Sequence, residues 1–247
     1  MPRYKLMIEY DGTKFVGWQH QTNGLGVQEV LERAVKALTG EAARPYGAGR
    51  TDAGVHALGQ VAHVDFNRLW PEHTVRDGLN HHLKPFPVTI LAAKRMEEDF
   101  HARFSATCRH YLYRIVNRRS PLAIDRNRAW LVRPPLNIAA MREGARHLIG
   151  CHDFTTFRSG ECQAASPVKT LKALIIEHRG EEVRLTVCAR SFLHKQVRSI
   201  VGTLERVGQG AWRADDIRRA LDARDRSACG PVAPAHGLYL SHIDYDE

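Results

Sequence analysis

The chain reads as an α+β protein in two halves, on three observations. Each half alternates several strand-like segments with two or three helix-period segments, in a split β-α-β rhythm. At 247 residues and 43% hydrophobic composition it can bury a sizeable core, as one large domain or two intimate ones. Nothing between Asp99 and Arg109 has the composition of a flexible linker, so the halves, residues 1–106 and 107–247, are expected to share one continuous sheet.

In the first half, Tyr4, Leu6, Ile8 and Tyr10 alternate over Arg3 to Tyr10, which predicts a strand ended by Asp11-Gly12. Val27, Val30, Leu31, Ala34, Val35 and Leu38 recur at helical spacing, with Gly40 as the stop. Gly59 to Phe66 predicts a strand, Thr74 to Leu83 a helix and Val88 to Met96 a strand.

The second half opens with a strand from His110 to Asn117, large side chains on both faces. Ile138, Met141, Ala145 and Leu148 mark a helix stopped by Gly150. Thr170 to His178 and Glu182 to Arg190 form a hairpin around Arg179-Gly180-Glu181. Val197, Ile200, Val201, Leu204 and Val207 predict another helix, followed by a short one from Asp215 to Arg224 and a last strand from Leu238 to Tyr245.

Composition narrows the function classes. The longest apolar runs, such as Val88 to Ala93, are too short to span a bilayer, and Met1-Pro2-Arg3-Tyr4 leads straight into a strand without a signal peptide. A cytoplasmic protein is expected. The five cysteines (Cys108, Cys151, Cys162, Cys188 and Cys229) are odd in number and widely spaced, so they are expected to be single and reduced, with no disulfide framework or zinc site. His56, His63 and the pair His81-His82 lack metal-ligand spacing to a third ligand, and no metal is expected. A net charge of +9 favours polyanionic partners, above all nucleic acid.

The most informative stretch is Gly47-Ala48-Gly49-Arg50-Thr51-Asp52-Ala53-Gly54-Val55-His56-Ala57. It sets one carboxylate beside an arginine among small residues, where glycine allows positive φ and close approach of backbone to a ligand. A simple Asx turn would also use Asp52 this way. A dinucleotide-binding turn is excluded, because such a turn follows a hydrophobic strand, and here Glu41-Ala42-Ala43-Arg44-Pro45-Tyr46 precedes it.

As a unit, the eleven residues resemble the active-site motif of the TruA-type tRNA pseudouridine synthases. The likeness extends along nearly the whole chain. Tyr10-Asp11-Gly12-Thr13, Phe15, Gly17-Trp18-Gln19 and Val27-Gln28 resemble the family's N-terminal signature and first helix. Asp99 to Ala106 and Tyr111-Leu112-Tyr113 resemble its second active-site segment, and His152-Asp153-Phe154-Thr155 with Phe157 a family loop. Phe192-Leu193-His194, Gln196-Val197-Arg198 and Ile200-Val201-Gly202 resemble its arginine-bearing helix, and Gly237 to Leu240 its closing strand. Ser199 departs from the asparagine of many members.

The resemblance implies two ferredoxin-like halves sharing a mixed, mainly antiparallel sheet, with a basic cleft between them. It implies conversion of uridine to pseudouridine at positions 38, 39 and 40 in the tRNA anticodon stem-loop, without a cofactor, by a homodimer whose subunits together hold the stem-loop and the elbow. Asp52 would be the nucleophile and Arg198 its cationic partner. Tyr111 would stack on the flipped uracil, and its hydroxyl would serve proton transfer or hydrogen bonding. Arg50 would contact phosphate or fill the gap left by the base, while Arg103 and Lys195 would touch backbone phosphates.

The chemistry explains these residue types. The reaction breaks the N1–C1′ bond, turns the base and rejoins it through C5, so a carboxylate attacking either C6 or C1′ must be ionised and aimed. A neighbouring cation favours that ionised form. Two rivals remain at this level: an RNA-base glycosidase, for which Asp65 would be the nearest second carboxylate, and a non-catalytic RNA-binding module.

Overall fold

The computed structural model describes residues 1–246. In chain order the elements are β1 (Arg3–Tyr10), α1 (Val27–Thr39), β2 (Tyr46–Gly47), β3 (His56–Asp65), α2 (Glu72–Leu83), β4 (Val88–Met96), β5 (Ala106–Asn117) and β6 (Trp130–Val132). They continue as α3 (Ile138–Arg146), β7 (Gly150–Asp153), β8 (Val168–Arg179), β9 (Glu182–Ala189), α4 (Gln196–Gly208), α5 (Ala214–Ala223) and β10 (Leu238–Tyr245). The backbone divides into two units, Met1–Thr107 with the stretch from Tyr239 onward, and Cys108–Leu238. Each is α+β.

In the first unit the strands run in the order β4-β1-β3-β10. β1 pairs antiparallel with β3 and β4, β10 pairs parallel with the start of β3, and β2 pairs antiparallel near its end. Residues directly opposite in a ladder share a face. Buried Tyr4, Leu6 and Ile8 therefore lie with Val64, Ala62 and Gln60, while Lys5 and Met7 lie with His63 and Val61 on the other face. α1 and α2 pack on each other and α2 on β4, contributing Val27, Val30, Leu31, Val35, Val75, Leu79 and Leu83 to the interior. Gly40 closes α1 at φ +76°, as its position in the sequence predicts.

The second unit has the order β5-β9-β8-β7, with antiparallel neighbours and β6 parallel on β5. α4 is its central helix. Val197, Ile200, Val201, Leu204 and Val207 are buried, and so are Ser199, Gly202 and Thr203 around the rest of its circumference. Gly202 has to be glycine because a Cβ would lie 1.8 Å from the Pro231 carbonyl oxygen. The segment after residue 229 thus passes directly over the helix.

Where element limits differ from the sequence reading, the cause is pairing with distant residues. β3 starts at His56 rather than Gly59 because His56 and Ala57 are paired to Tyr239 and Leu240. β2, β6 and β7 are too short to show a period of two. Gly150 does not stop α3, which ends at Arg146, but opens β7 at φ +105°.

One expectation is corrected. Cys108 and Cys188 are not single and reduced but form a disulfide, across eighty residues of sequence separation. The β5–β9 register sets His110 opposite Cys188, so Cys108, two residues away on the same face, lies diagonally within reach. Among the described residues, no helix is long and apolar enough to cross a membrane.

Candidate active site

Asp52 is held by backbone. Gly17 forms an antiparallel bridge with Asp52, and Trp18 N–H donates to the Thr51 carbonyl at 3.1 Å. Gly17 stands at φ +113°, and a Cβ there would come within 2.5 Å of the same carbonyl. Gly12 approaches still closer: its Cβ would lie 2.0 Å from Val55 O. Val55 N–H closes the turn onto Asp52 O at 3.1 Å, with Gly54 at φ +76°. The result is a half-buried aspartate between buried Thr51 and Val55.

Side chains beneath the loop complete this support. The Tyr10 hydroxyl hydrogen-bonds Thr51 Oγ1 at 2.8 Å, and burial pushes its phenol up to about 12, so it stays neutral. Gln60 Nε2 donates to Gly49 O at 2.8 Å. Gly12 N–H donates to His56 Nδ1 at 3.0 Å, and the His56 ring stacks on Tyr239 at 4.7 Å. Tyr10 and Gln60 carry no signal of this role in the sequence, where they read as strand residues. Only the tertiary contact reveals it.

Arg50 is exposed and makes no hydrogen bond or ion pair with another described residue. Arg103 is also exposed, its guanidinium 5.4 Å from the Phe104 ring centroid. Its segment meets the loop through a small core of Ala48, Val61, Phe100 and Ala102. Asp65 is engaged elsewhere: Arg3 donates to both its oxygens, at 2.7 and 2.8 Å, and this holds the carboxyl below the usual range. An acid kept ionised this way is a poor proton donor at neutral pH.

The second unit positions Tyr111, Arg198 and Lys195. Tyr111 is buried on β5, its ring edge-on to Phe192 at 5.1 Å. Half-buried Arg198 is anchored through its stem. Nε donates to Ala233 O at 2.8 Å, and its own carbonyl accepts Ala233 N–H at 3.0 Å. The next carbonyl, Pro234 O, accepts the Tyr113 hydroxyl at 2.8 Å. Burial drives the Tyr113 phenol well above its ordinary value, against the pull of the Arg198 charge. One short segment therefore holds both side chains, and neither Tyr113 nor this segment was singled out from the sequence for such a role.

Lys195 caps α4 in the left-handed region, φ +61°, which is uncommon for a residue with a side chain. Its amine lies 3.6 Å from Glu161, so it starts from an ion pair rather than open solvent.

A family profile described as tRNA pseudouridine synthase matches residues 6–105 and 145–246. The chain belongs to that family. It is 60% identical to tRNA pseudouridine synthase A of Paramagnetospirillum magneticum, over 99% of this chain and 96% of that one. Identity to the protein of the same name from Maricaulis maris is 59%, over 99% and 98% of the two chains. For that from Parvibaculum lavamentivorans it is 57% over the full length of both. The chain is thus an enzyme, an isomerase of uridine in tRNA. Asp52, Arg50, Arg103, Lys195 and Arg198 all fall within the matched residues, while Tyr111 lies between the two matched stretches.

Proposed function

We propose that this enzyme converts uridine to pseudouridine at positions 38, 39 and 40 of the tRNA anticodon stem-loop, with Asp52 as nucleophile. The observation that supports this most directly is the cradle of Asp52. Gly12 and Gly17 let one N-terminal segment close onto the backbone of a turn, itself shaped by Gly54, that keeps its aspartate half-exposed. A carboxylate held so firmly meets the first demand of covalent catalysis, a reacting atom already in place.

In this reading Asp52 attacks C6 of the base or C1′ of the ribose. The N1–C1′ bond breaks, the base turns, C5 bonds to C1′, and the proton lost from C5 is balanced by one gained at N1. Arg198 serves the ionised Asp52, with its stem anchored through Nε on Ala233 O. Tyr111 stacks on the flipped uracil. Arg50, exposed and without a protein partner among the described residues, contacts phosphate or fills the gap left by the base. Arg103 and Lys195 add backbone phosphate contacts, Lys195 by exchanging Glu161 for phosphate. No cofactor takes part. The enzyme works in the cytoplasm as a homodimer, one subunit gripping the elbow while the other reacts, because a compact chain of this length has a radius of only about 18 Å.

Nucleoside analysis after incubation with unmodified tRNA tests the reading. The expected product is pseudouridine, mapped to the three positions. Free uracil would mean a glycosidase, and unchanged uridine a binding module. Asp52→Asn should abolish turnover while keeping the fold and tRNA affinity, and near-wild-type activity in that variant would remove Asp52 from the mechanism. Light scattering checks assembly, since a fully active monomer of 27.9 kDa would exclude the dimer.

A further inference from the structure

Six side chains of the first unit form a ladder with exposed ends, and of these only Arg103 has a part in the reading above. Tyr46 stacks on His63 with centroids 5.2 Å apart and planes 19° from parallel. His63 meets His101 at 4.5 Å, and His101 meets Phe104 at 4.4 Å. The two outer rings face solvent, Tyr46 at 49% and Phe104 at 68% exposure. Each has an arginine beside it: Arg44 lies 5.8 Å from the Tyr46 centroid, also reaching Glu32 at 3.7 Å, and Arg103 lies 5.4 Å from Phe104.

A single exposed apolar side chain is ordinary, whereas grouped exposed rings offer a binding face. Two at the ends of one stack, each with a guanidinium, match the chemistry of single-stranded RNA, where bases stack on aromatic faces and cations meet the phosphates. The inner imidazoles suit a support for the outer rings: buried His63 is packed between Tyr46 and His101, and burial lowers the pKa of both, His63 to about 4, so no positive charge builds up inside the stack at physiological pH. Tyr46 precedes Asp52 by six residues, which limits their separation to roughly 20 Å. A single RNA can reach both.

We propose that Tyr46, His101 and Phe104, with Arg44 and Arg103, are a stacking platform for unpaired RNA bases outside the reacting uridine. The proposal rests on the tRNA reading above and extends it to a second contact with the same RNA. Phe104 and Tyr46 supply the faces, and the arginines hold the adjoining phosphates.

The test measures affinity of the full chain for a short oligouridylate and for an anticodon-stem-loop RNA, across a salt series, by fluorescence anisotropy. Phe104→Leu keeps apolar bulk without the π-face and should weaken binding about tenfold, with the salt slope unchanged. Phe104→Trp should restore it to within about twofold. Tyr46→Leu should act in the same direction, and Arg103→Met should instead lower the salt slope by about one. A merely structural role would not produce this split. Wild-type affinity in Phe104→Leu, failure of Phe104→Trp to restore binding, or no oligouridylate binding by the wild type would each overturn the platform. Product analysis separates this from the proposed function. An enzyme that makes pseudouridine but ignores Phe104→Leu loses only the platform, while one that makes none but responds to it keeps the platform and loses the function.

Discussion

Asp52 and Arg198 are held in opposite ways. The aspartate sits on a turn whose neighbours are backbone: Gly12 against Val55 O, Gly17 against Thr51 O, and Gly54 at positive φ. The arginine sits on a helix buried almost all round, and a passing strand of chain pins its stem through Ala233 O. A short side chain such as Asp cannot search for its position, so the backbone must place it. A long one such as Arg is brought near by its helix and then needs a single carbonyl to select the rotamer. Both devices depend on glycine, Gly12 below the loop and Gly202 below the crossing segment.

Substitution at the arginine should have the largest effect. Arg198→Met keeps the apolar stem and loses the guanidinium, and should lower kcat by 10²-fold or more with little change in tRNA affinity, the magnitude typical of removing a charge-stabilising donor. Single-turnover kinetics beside filter binding would check it. A loss of affinity with a shallower salt slope, at constant kcat, would make Arg198 a phosphate contact instead. The comparison sharpens with Arg198→Lys, which keeps the charge and loses the Nε anchor and should rescue poorly.

The glycines come next. Gly12→Ala and Gly202→Ala each force a Cβ into a backbone oxygen, at 2.0 and 1.8 Å, and each should destabilise the fold by about 2–4 kcal/mol. Thermal denaturation would read both. If cradle and helix are built as described, Gly12→Ala in the surviving folded fraction should also lower kcat through Asp52, and an Asp52→Asn background should hide that second effect.

The pH dependence should be intermediate. His63 has its folded pKa depressed to about 4 by burial, with the nearby His101 and Arg3 charges acting in the same direction against Asp65. A depressed histidine is neutral in the folded protein and binds a proton more readily when unfolded. Stability is therefore full above the unfolded value near 6.5 and falls as pH drops toward 4. The loss should be on the order of 2 kcal/mol, partly because Ala102 N–H donates to His63 Nδ1 at 3.2 Å and loses that acceptor on protonation. Denaturant titrations from pH 7 to 4.5 should show the slope, and His63→Gln should flatten it.

The smallest effect concerns Ser199, which is fully buried on α4 with its hydroxyl lacking a hydrogen-bond partner among the described residues. Ser199→Ala should leave turnover unchanged and raise stability by about 1 kcal/mol. A clear loss of stability would mean that the hydroxyl is satisfied in solution.

Much of this was legible in the residues. The 3.6-residue spacing of Val27 to Leu38 and of Val197 to Val207 specified α1 and α4, because each carries enough apolar side chains on a stripe to outweigh any local alternative. Alternation in Arg3–Tyr10 specified β1 in the same way. The crowding of glycine around Asp52 announced a tight turn carrying a carboxylate, while its packing against Gly12 and Gly17 came only from the tertiary structure. Family membership was readable from the same motifs.

What the residues did not announce is every contact that depends on register or on two distant segments meeting. Cys108 and Cys188 join because β5 and β9 pair with His110 opposite Cys188, and a shift of one residue would turn them to opposite faces. Ala233 and Pro234 anchor Arg198 and Tyr113 only because the chain crosses α4 at Gly202. Tyr10 supports Thr51 across forty-one residues, and Tyr46, His63, His101 and Phe104 stack from three separate segments. Local sequence determines elements through propensity and periodicity, which act within a few residues. These contacts are decided by how the elements pack, and that depends on the whole core at once.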